Sequence, residues 1–131
     1  MSCSDAPRHF GEVNVNALMA ATNYANTLVE MQRFKEARKL MRKTIPVARR
    51  VVGESHDVTL KMRWNYGETL YKDQASTLDD LRKAATTLEE TERIARRVFG
   101  GAHPLTKGIG GDLRNARAAL RARETQASGD S

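Results

Sequence analysis

Apolar residues along this chain return at steps of three and four, the period of helices with one buried face. Leu18, Ala21, Ala25, Leu28 and Val29 share a face and predict a helix from about Val13 to Met31. Phe34, Ala37, Leu40, Met41, Ile45, Ala48 and Val52 predict a second, from about Arg33 to Val52. The turn around Gln32 is so short that these two must lie antiparallel. Leu60, Trp64, Gly67, Leu70 and Tyr71 mark a third helix over about Asp57–Lys72, with Ser55 or Asp57 expected to cap its first turn. A fourth runs from about Thr77 to Phe99, with Leu78, Leu81, Ala84, Ala85, Leu88, Ala95, Val98 and Phe99 inward. Thr77 and Asp80 form a helix-start box in which Asp replaces the usual Glu. Gly53 and Gly100 are placed as stops after the second and fourth helices.

Two places conflict with this pattern. Pro46 lies deep in the second helix, where it removes a hydrogen bond and crowds the preceding turn, so a kink is expected there. Leu105, Ile109, Leu113, Ala116 and Leu120 keep a helical stripe to the end of the chain, but Gly108, Gly110 and Gly111 interrupt it. The fifth helix therefore begins either at Pro104, a residue suited to a first helical position, or near Asp112.

The chain also repeats itself. Gly11-Glu12, Leu18, Asn23-Tyr24 and Thr27-Leu28 recur as Gly53-Glu54, Leu60, Asn65-Tyr66 and Thr69-Leu70, each 42 positions on. Arg49-Arg50-Val51-Val52-Gly53 and His56 recur as Arg96-Arg97-Val98-Phe99-Gly100 and His103, 47 positions on, which implies about five inserted residues between Leu70 and Leu81. A fixed period of this length marks a solenoid of stacked helical pairs. The expected fold is all-α: a right-handed helical-repeat solenoid of two antiparallel helix pairs plus a C-terminal capping helix. Residues 1–10 are expected to be a flexible tail, 11–52 the first repeat, 53–99 the second, 100–123 a partial third and 124–131 a second flexible tail.

Composition narrows the chemistry. Aromatic residues make up 5% and there are three prolines, which suits helices better than sheets. No apolar run is long enough to span a bilayer, so no membrane insertion is expected. The first residues have no signal-peptide core and Cys3 is the single cysteine, so the expected compartment is the cytoplasm. The net charge of +6 favours a partner of acidic character.

These residues resemble tetratricopeptide repeats, specifically the 42-residue variety of kinesin light chains. The family's Asn-Leu-Ala followed by a large apolar residue is met by Asn23-Tyr24-Ala25 with Leu28, and by Asn65-Tyr66-Gly67 with Leu70. Its aromatic followed by Glu-Ala is met by Phe34, Glu36 and Ala37. Its closing Leu-Gly-x-x-His-Pro is met by Val52-Gly53-Glu54-Ser55-His56-Asp57 and Phe99-Gly100-Gly101-Ala102-His103-Pro104, with Asp57 a departure. Gln32 stands where many repeats carry glycine, and Arg114 and Arg117 stand where a third repeat would place small and apolar residues.

The resemblance implies a non-catalytic scaffold or adaptor that holds a peptide or partner protein in the concave groove of first helices. By position the groove residues are Met19, Thr22, Asn23 and Asn26, with Lys61, Trp64, Asn65 and Glu68. An asparagine at the same place in each repeat suits gripping a peptide backbone, and equally suits bridging neighbouring helices. The alternative is a structural subunit of a larger complex or homo-oligomer, joined through exposed repeat ends. The many cations of the second helix make its outer face basic, but no nucleic-acid recognition motif accompanies them, which argues against nucleic acid. No nucleophile is set beside a base, and no phosphate loop or zinc-ligand spacing occurs, so no catalytic, cofactor or metal site is expected. His56 and His103 are expected to bond backbone in their turns.

Overall fold

The computed structural model describes residues 5–129. It contains five helices: α1 (Asp5–Glu30), α2 (Phe34–Val51), α3 (Asp57–Tyr71), α4 (Leu78–Phe99) and α5 (Pro104–Gly129). No strand occurs among the described residues. The fold is an all-α helical-repeat solenoid, with α1–α2 and α3–α4 as its pairs and α5 closing the stack.

Curvature follows from which helices touch. α1 packs on α3 and α3 on α5, whereas α2 and α4 make no close backbone contact. First helices therefore lie close together on the concave side, and second helices splay apart on the convex side. α3 sits in the middle, against every other helix.

Each boundary has a local cause. Gln32 takes φ 62°, the left-handed region that glycine enters freely and other residues enter at a cost of about 1–2 kcal/mol. That conformation lets Arg33 donate its backbone N–H to Leu28 O and turns the chain directly into α2. Gly53 and Gly100 carry φ 93° and 90° and reverse the chain after the second helix of each pair. The cap of α3 is neither Ser55 nor Asp57 but His56, whose Nδ1 accepts the N–H of Val58. His103 accepts the N–H of Leu105 in the same way. An imidazole with an unprotonated Nδ1 supplies the oxygen-like acceptor that a free first-turn amide needs. Thr77 and Asp80 form the full reciprocal box at the start of α4.

One open alternative is decided and two expected boundaries shift. α5 begins at Pro104 and runs through its glycines, so the Asp112 start is not used. It continues through Gly129, so most of the expected C-terminal tail is helical, and 130–131 lie outside the described residues. α1 starts at Asp5 rather than near Val13, which makes 5–10 helical, while 1–4 lie outside the described residues. α2 passes through Pro46 as one helix.

The core has two main parts that meet at α3. Leu18, Ala25, Met41, Ile45, Ala48, Val58 and Met62 join α1, α2 and α3. Leu60, Leu70, Ala84, Leu88, Ala95, Leu105, Ile109, Leu113 and Ala116 join α3, α4 and α5. Tyr66 packs against both.

Candidate functional site

The concave side is built on α1, α3 and α5, and its floor is polar. Asp112, on α5, accepts hydrogen bonds from Trp64 Nε1 at 2.5 Å and from the Tyr71 hydroxyl, both on α3. Gly108 makes this approach possible: a Cβ there would lie 2.4 Å from the Trp64 ring, so the indole rests directly on α5. One α3 turn beyond Trp64, Glu68 receives Lys72 Nζ at 2.7 Å. Its side chain is 12% exposed.

Two carboxylates, Glu68 and Asp112, thus share the reach of one ammonium. Burial pushes the Glu68 carboxyl above its ordinary 4.5, the neighbouring Asp112 charge adds to this, and Lys72 acts the other way. Burial, and the Asp112 carboxylate that accepts its hydrogen bond, raise the Tyr71 phenol. The sign for stability follows. A carboxyl whose value is raised on folding contributes stability below 4.5 and loses it as pH climbs through the raised value. Glu68→Gln should therefore raise the melting temperature relative to the parent at neutral pH, with the gain vanishing below the ordinary carboxyl value. Melting curves of both proteins across that range check this, and a gain that grows toward acid would count against it.

Next to this floor, a cleft of about 670 Å³ opens between the C-terminal ends of α1 and α3. Asn26, Val29 and Glu30 line it from α1, Glu68 from α3, and Lys72 and Asp73 from the loop that follows α3. Gln32, Phe34 and Gln74 form its remaining wall. Arg38 anchors the loop side by donating to Thr69 O at 3.0 Å and pairing with Asp73 at 3.3 Å, so the wall is held by α2. A residue held at positive φ beside a cleft is strain stored where a ligand could use it.

The eight sequence-derived residues divide on this surface. Asn26 and Glu68 line the cleft. Trp64 lies half-buried on the floor, tied to Asp112. Met19 and Asn23 are exposed on α1, and Lys61 is exposed on α3, 3.6 Å from Asp57. Thr22 and Asn65 are buried. The Asn65 amide of α3 donates between the two helix pairs to Thr22 O of α1 at 3.4 Å, and the Thr22 hydroxyl donates to Leu18 O. Sequence reasoning did not single out Asp112, Tyr71 or Lys72. The bonds of Trp64 and Tyr71 to Asp112 cross from α3 to α5, and only the glycine at 108, opposite the single tryptophan, hints at that close approach, whereas Lys72 pairs locally with Glu68 four residues before it.

The convex side has different chemistry. Between α2 and α4 a cavity of about 250 Å³ is lined by Arg42, Arg49, Arg63, Tyr66 and Glu90, among others. Arg63 pairs with Glu90 at 2.9 Å. Burial acts to raise the Tyr66 phenol, but the Arg42 and Lys83 cations beside it bring it below its ordinary value. Among the described residues no group of three His, Cys, Asp or Glu side chains is placed to hold a metal. None of the described helices is long and apolar enough to cross a membrane.

Residues 17–57 match the tetratricopeptide repeat family, a span that takes in α2, the described turn at Gln32 and the His56 cap. The 42-residue spacing of the kinesin-light-chain variety is consistent with that match. No curated protein and no solved structure matches the chain.

Proposed function

We propose, on the premise that the chain is a tetratricopeptide repeat protein, that it is a non-catalytic scaffold or adaptor holding an extended segment of a partner protein on its concave face. Repeats of this family generally mediate protein–protein interaction, and such function lives in the site rather than the fold. The observation that carries the reading is the cleft beside Asn26 and Glu68, which two expected groove residues line from successive first helices. Its lining offers three amides, three carboxylates and an ammonium, partners for the N–H groups, carbonyls and a basic side chain of an extended peptide. Met19, Asn23, Lys61 and Trp64 extend the contact along the groove, and Thr22 and Asn65 support it from beneath. The net charge of +6 favours acidic stretches elsewhere on the partner, and the α2 cations lie where such stretches would meet them. The cytoplasm is the proposed compartment.

Selection of peptides from a random display library against the folded chain tests this. Enriched peptides should bind in fluorescence anisotropy, and Asn26→Ala with Glu68→Ala should weaken them at least roughly tenfold, the loss expected for two interface contacts. Arg97→Ala, on the far side of α4, should leave binding unchanged. Failure to enrich any peptide, or binding indifferent to the cleft variants, would reject the reading.

A further inference from the structure

The cavity of about 250 Å³ on the convex side gathers more cations than its own carboxylates offset. Arg42 and Arg49 line it from α2, Arg63 and Tyr66 from α3, and Thr87 and Glu90 from α4. Arg49 Nε meets Glu54 at 2.9 Å, with both side chains about half-exposed, an arrangement that contributes little. Among the described residues no ion pair forms at Arg42, nor at Lys83 beside the Tyr66 phenol.

Arg63 is the unusual member. Its side chain is 6% exposed, whereas that of its partner Glu90 is 51% exposed. A buried guanidinium loses its water and needs well-placed acceptors in return, and Glu90 supplies one oxygen to one of its nitrogens while staying largely hydrated itself. At the equivalent positions of the other repeats the chain carries Ala21 and Gly110, so repeat packing does not call for a long cation here.

The missing acceptor has a recognisable chemistry. Guanidinium forks pair bidentately with phosphate oxygens, and the Tyr66 and Thr87 hydroxyls add neutral donors. Ile45 and Pro46 form an apolar wall, which strengthens the field of the cations. Burial acts to raise the Tyr66 phenol, yet Arg42 and Lys83 bring it below its ordinary value, so the cavity favours negative charge. Its volume lies below the roughly 300 Å³ at which pockets begin to hold whole small molecules, which suits one charged group carried on a longer chain. Stacking of nucleic-acid bases needs open aromatic faces, and Tyr66, the one aromatic lining residue, is packed into both parts of the core.

We propose that the cavity between α2 and α4 binds a phosphorylated side chain of a partner protein, with Arg42, Arg49 and Arg63 on the phosphate oxygens and Glu90 giving up its place beside Arg63. The site lies on the opposite side from the concave groove and does not depend on a segment bound there.

NMR titration of the isotope-labelled full chain tests it. The probes are a capped Gly-Thr-Gly peptide phosphorylated on threonine, the same peptide without phosphate, inorganic phosphate, and a short oligothymidine. Saturable shifts should appear at the cavity residues with the phosphorylated peptide and not with its unmodified form. Arg42→Gln with Arg49→Gln should weaken binding at least roughly tenfold, the loss of a charge-assisted hydrogen bond. Both side chains are exposed, so the fold should be kept, as far-UV circular dichroism would show. Lys39→Gln removes the same charge from an exposed position of α2 outside the cavity and should leave binding unchanged. Glu90→Gln should tighten binding, and the phosphorylated peptide should raise its melting temperature by more than it raises that of the parent. An equal response to the unmodified peptide would overturn the proposal, as would binding indifferent to the Arg42 and Arg49 changes or equally weakened by Lys39→Gln. Glu90→Gln binding no tighter than the parent would remove Arg63 from the site and overturn it too. Inorganic phosphate bound as tightly as the peptide would reassign the cavity to the free ion, and tighter binding of oligothymidine would reassign it to nucleic acid.

Discussion

Leu88→Ala lowers the unfolding free energy by about 3–5 kcal/mol, toward the upper end of the range for leucine truncations. Leu88 is fully buried, in the part of the core that joins α3, α4 and α5. What sets its cost is the residue opposite. A Cβ on Gly67 would lie 2.6 Å from Leu88 Cδ2 and 2.7 Å from Cγ, so the leucine occupies the space a side chain at 67 would take. Removing it leaves a void bounded on one side by bare helix backbone, which cannot relax inward as a flexible side chain would. Gly67→Ala alone trades about 1 kcal/mol of better helix propensity for an overlap costing about 1–3 kcal/mol, and a fully buried neighbour has little room to give. Combined, the two changes should be strongly non-additive. The Gly67→Ala/Leu88→Ala protein should be more stable than Leu88→Ala by about 1 kcal/mol or more, because the new methyl fills part of the void and keeps its propensity gain. Urea unfolding of the four proteins measures this. Additive effects would show that Gly67 and Leu88 do not share one space.

Asp112→Ala should cost about 2–3 kcal/mol and, unlike the first change, should alter the groove as well. Its carboxylate accepts from both Trp64 and Tyr71, and hydrogen bonds to a charged acceptor contribute about 1.5–3 kcal/mol each. Both donors are half-buried, so water takes over part of that role, and removal of the Asp112 charge relieves Glu68. The net loss falls well below the sum of two bonds for these reasons. Trp64 is the single tryptophan, so its emission reports the change directly. The spectrum should shift to the red as the indole N–H turns to water. The raised Glu68 carboxyl should also return toward its ordinary value, which flattens the fall in stability between acid and neutral pH. Unchanged emission together with an unchanged melting temperature would show that Asp112 does not hold the two rings.

The sequence made the helical pairs legible because their signals are local and repeated. Gly53 and Gly100, the Thr77–Asp80 box and the alternating apolar stripe each act within a few residues of where they appear. The start of α5 was harder to read. Gly108, Gly110 and Gly111 weaken a helix by propensity, and only the indole of Trp64 against α5 gives glycine at 108 a packing reason. The cap at His56 was misassigned for a related reason. Serine and aspartate are the commoner caps, and which of three adjacent polar residues turns inward depends on the backbone path out of Gly53. Within the site, Asn26 and Glu68 could be placed from repeat position alone. Asp112 could not, because its partners lie more than forty residues earlier and no spacing rule links them. Repeat equivalence also hides a difference. Asn65 has a helix before it and bonds to that helix, whereas Asn23, at the same repeat position, meets solvent.

That α3 belongs to both halves of the core has a consequence for how such a chain can change over generations. Each terminal element is anchored chiefly by the element beside it, as in a one-dimensional array of nearest neighbours. A whole helical pair could be gained or lost at an end by remaking a single boundary, with the remaining packing left as it was. The middle helix has no such freedom: a substitution on one of its faces is constrained by α1 and α2, and on the other by α4 and α5. Sequence drift should therefore be fast at the two ends and slow along α3, so a distant descendant could keep this central helix and the spacing around it while its outermost helices had become unrecognisable.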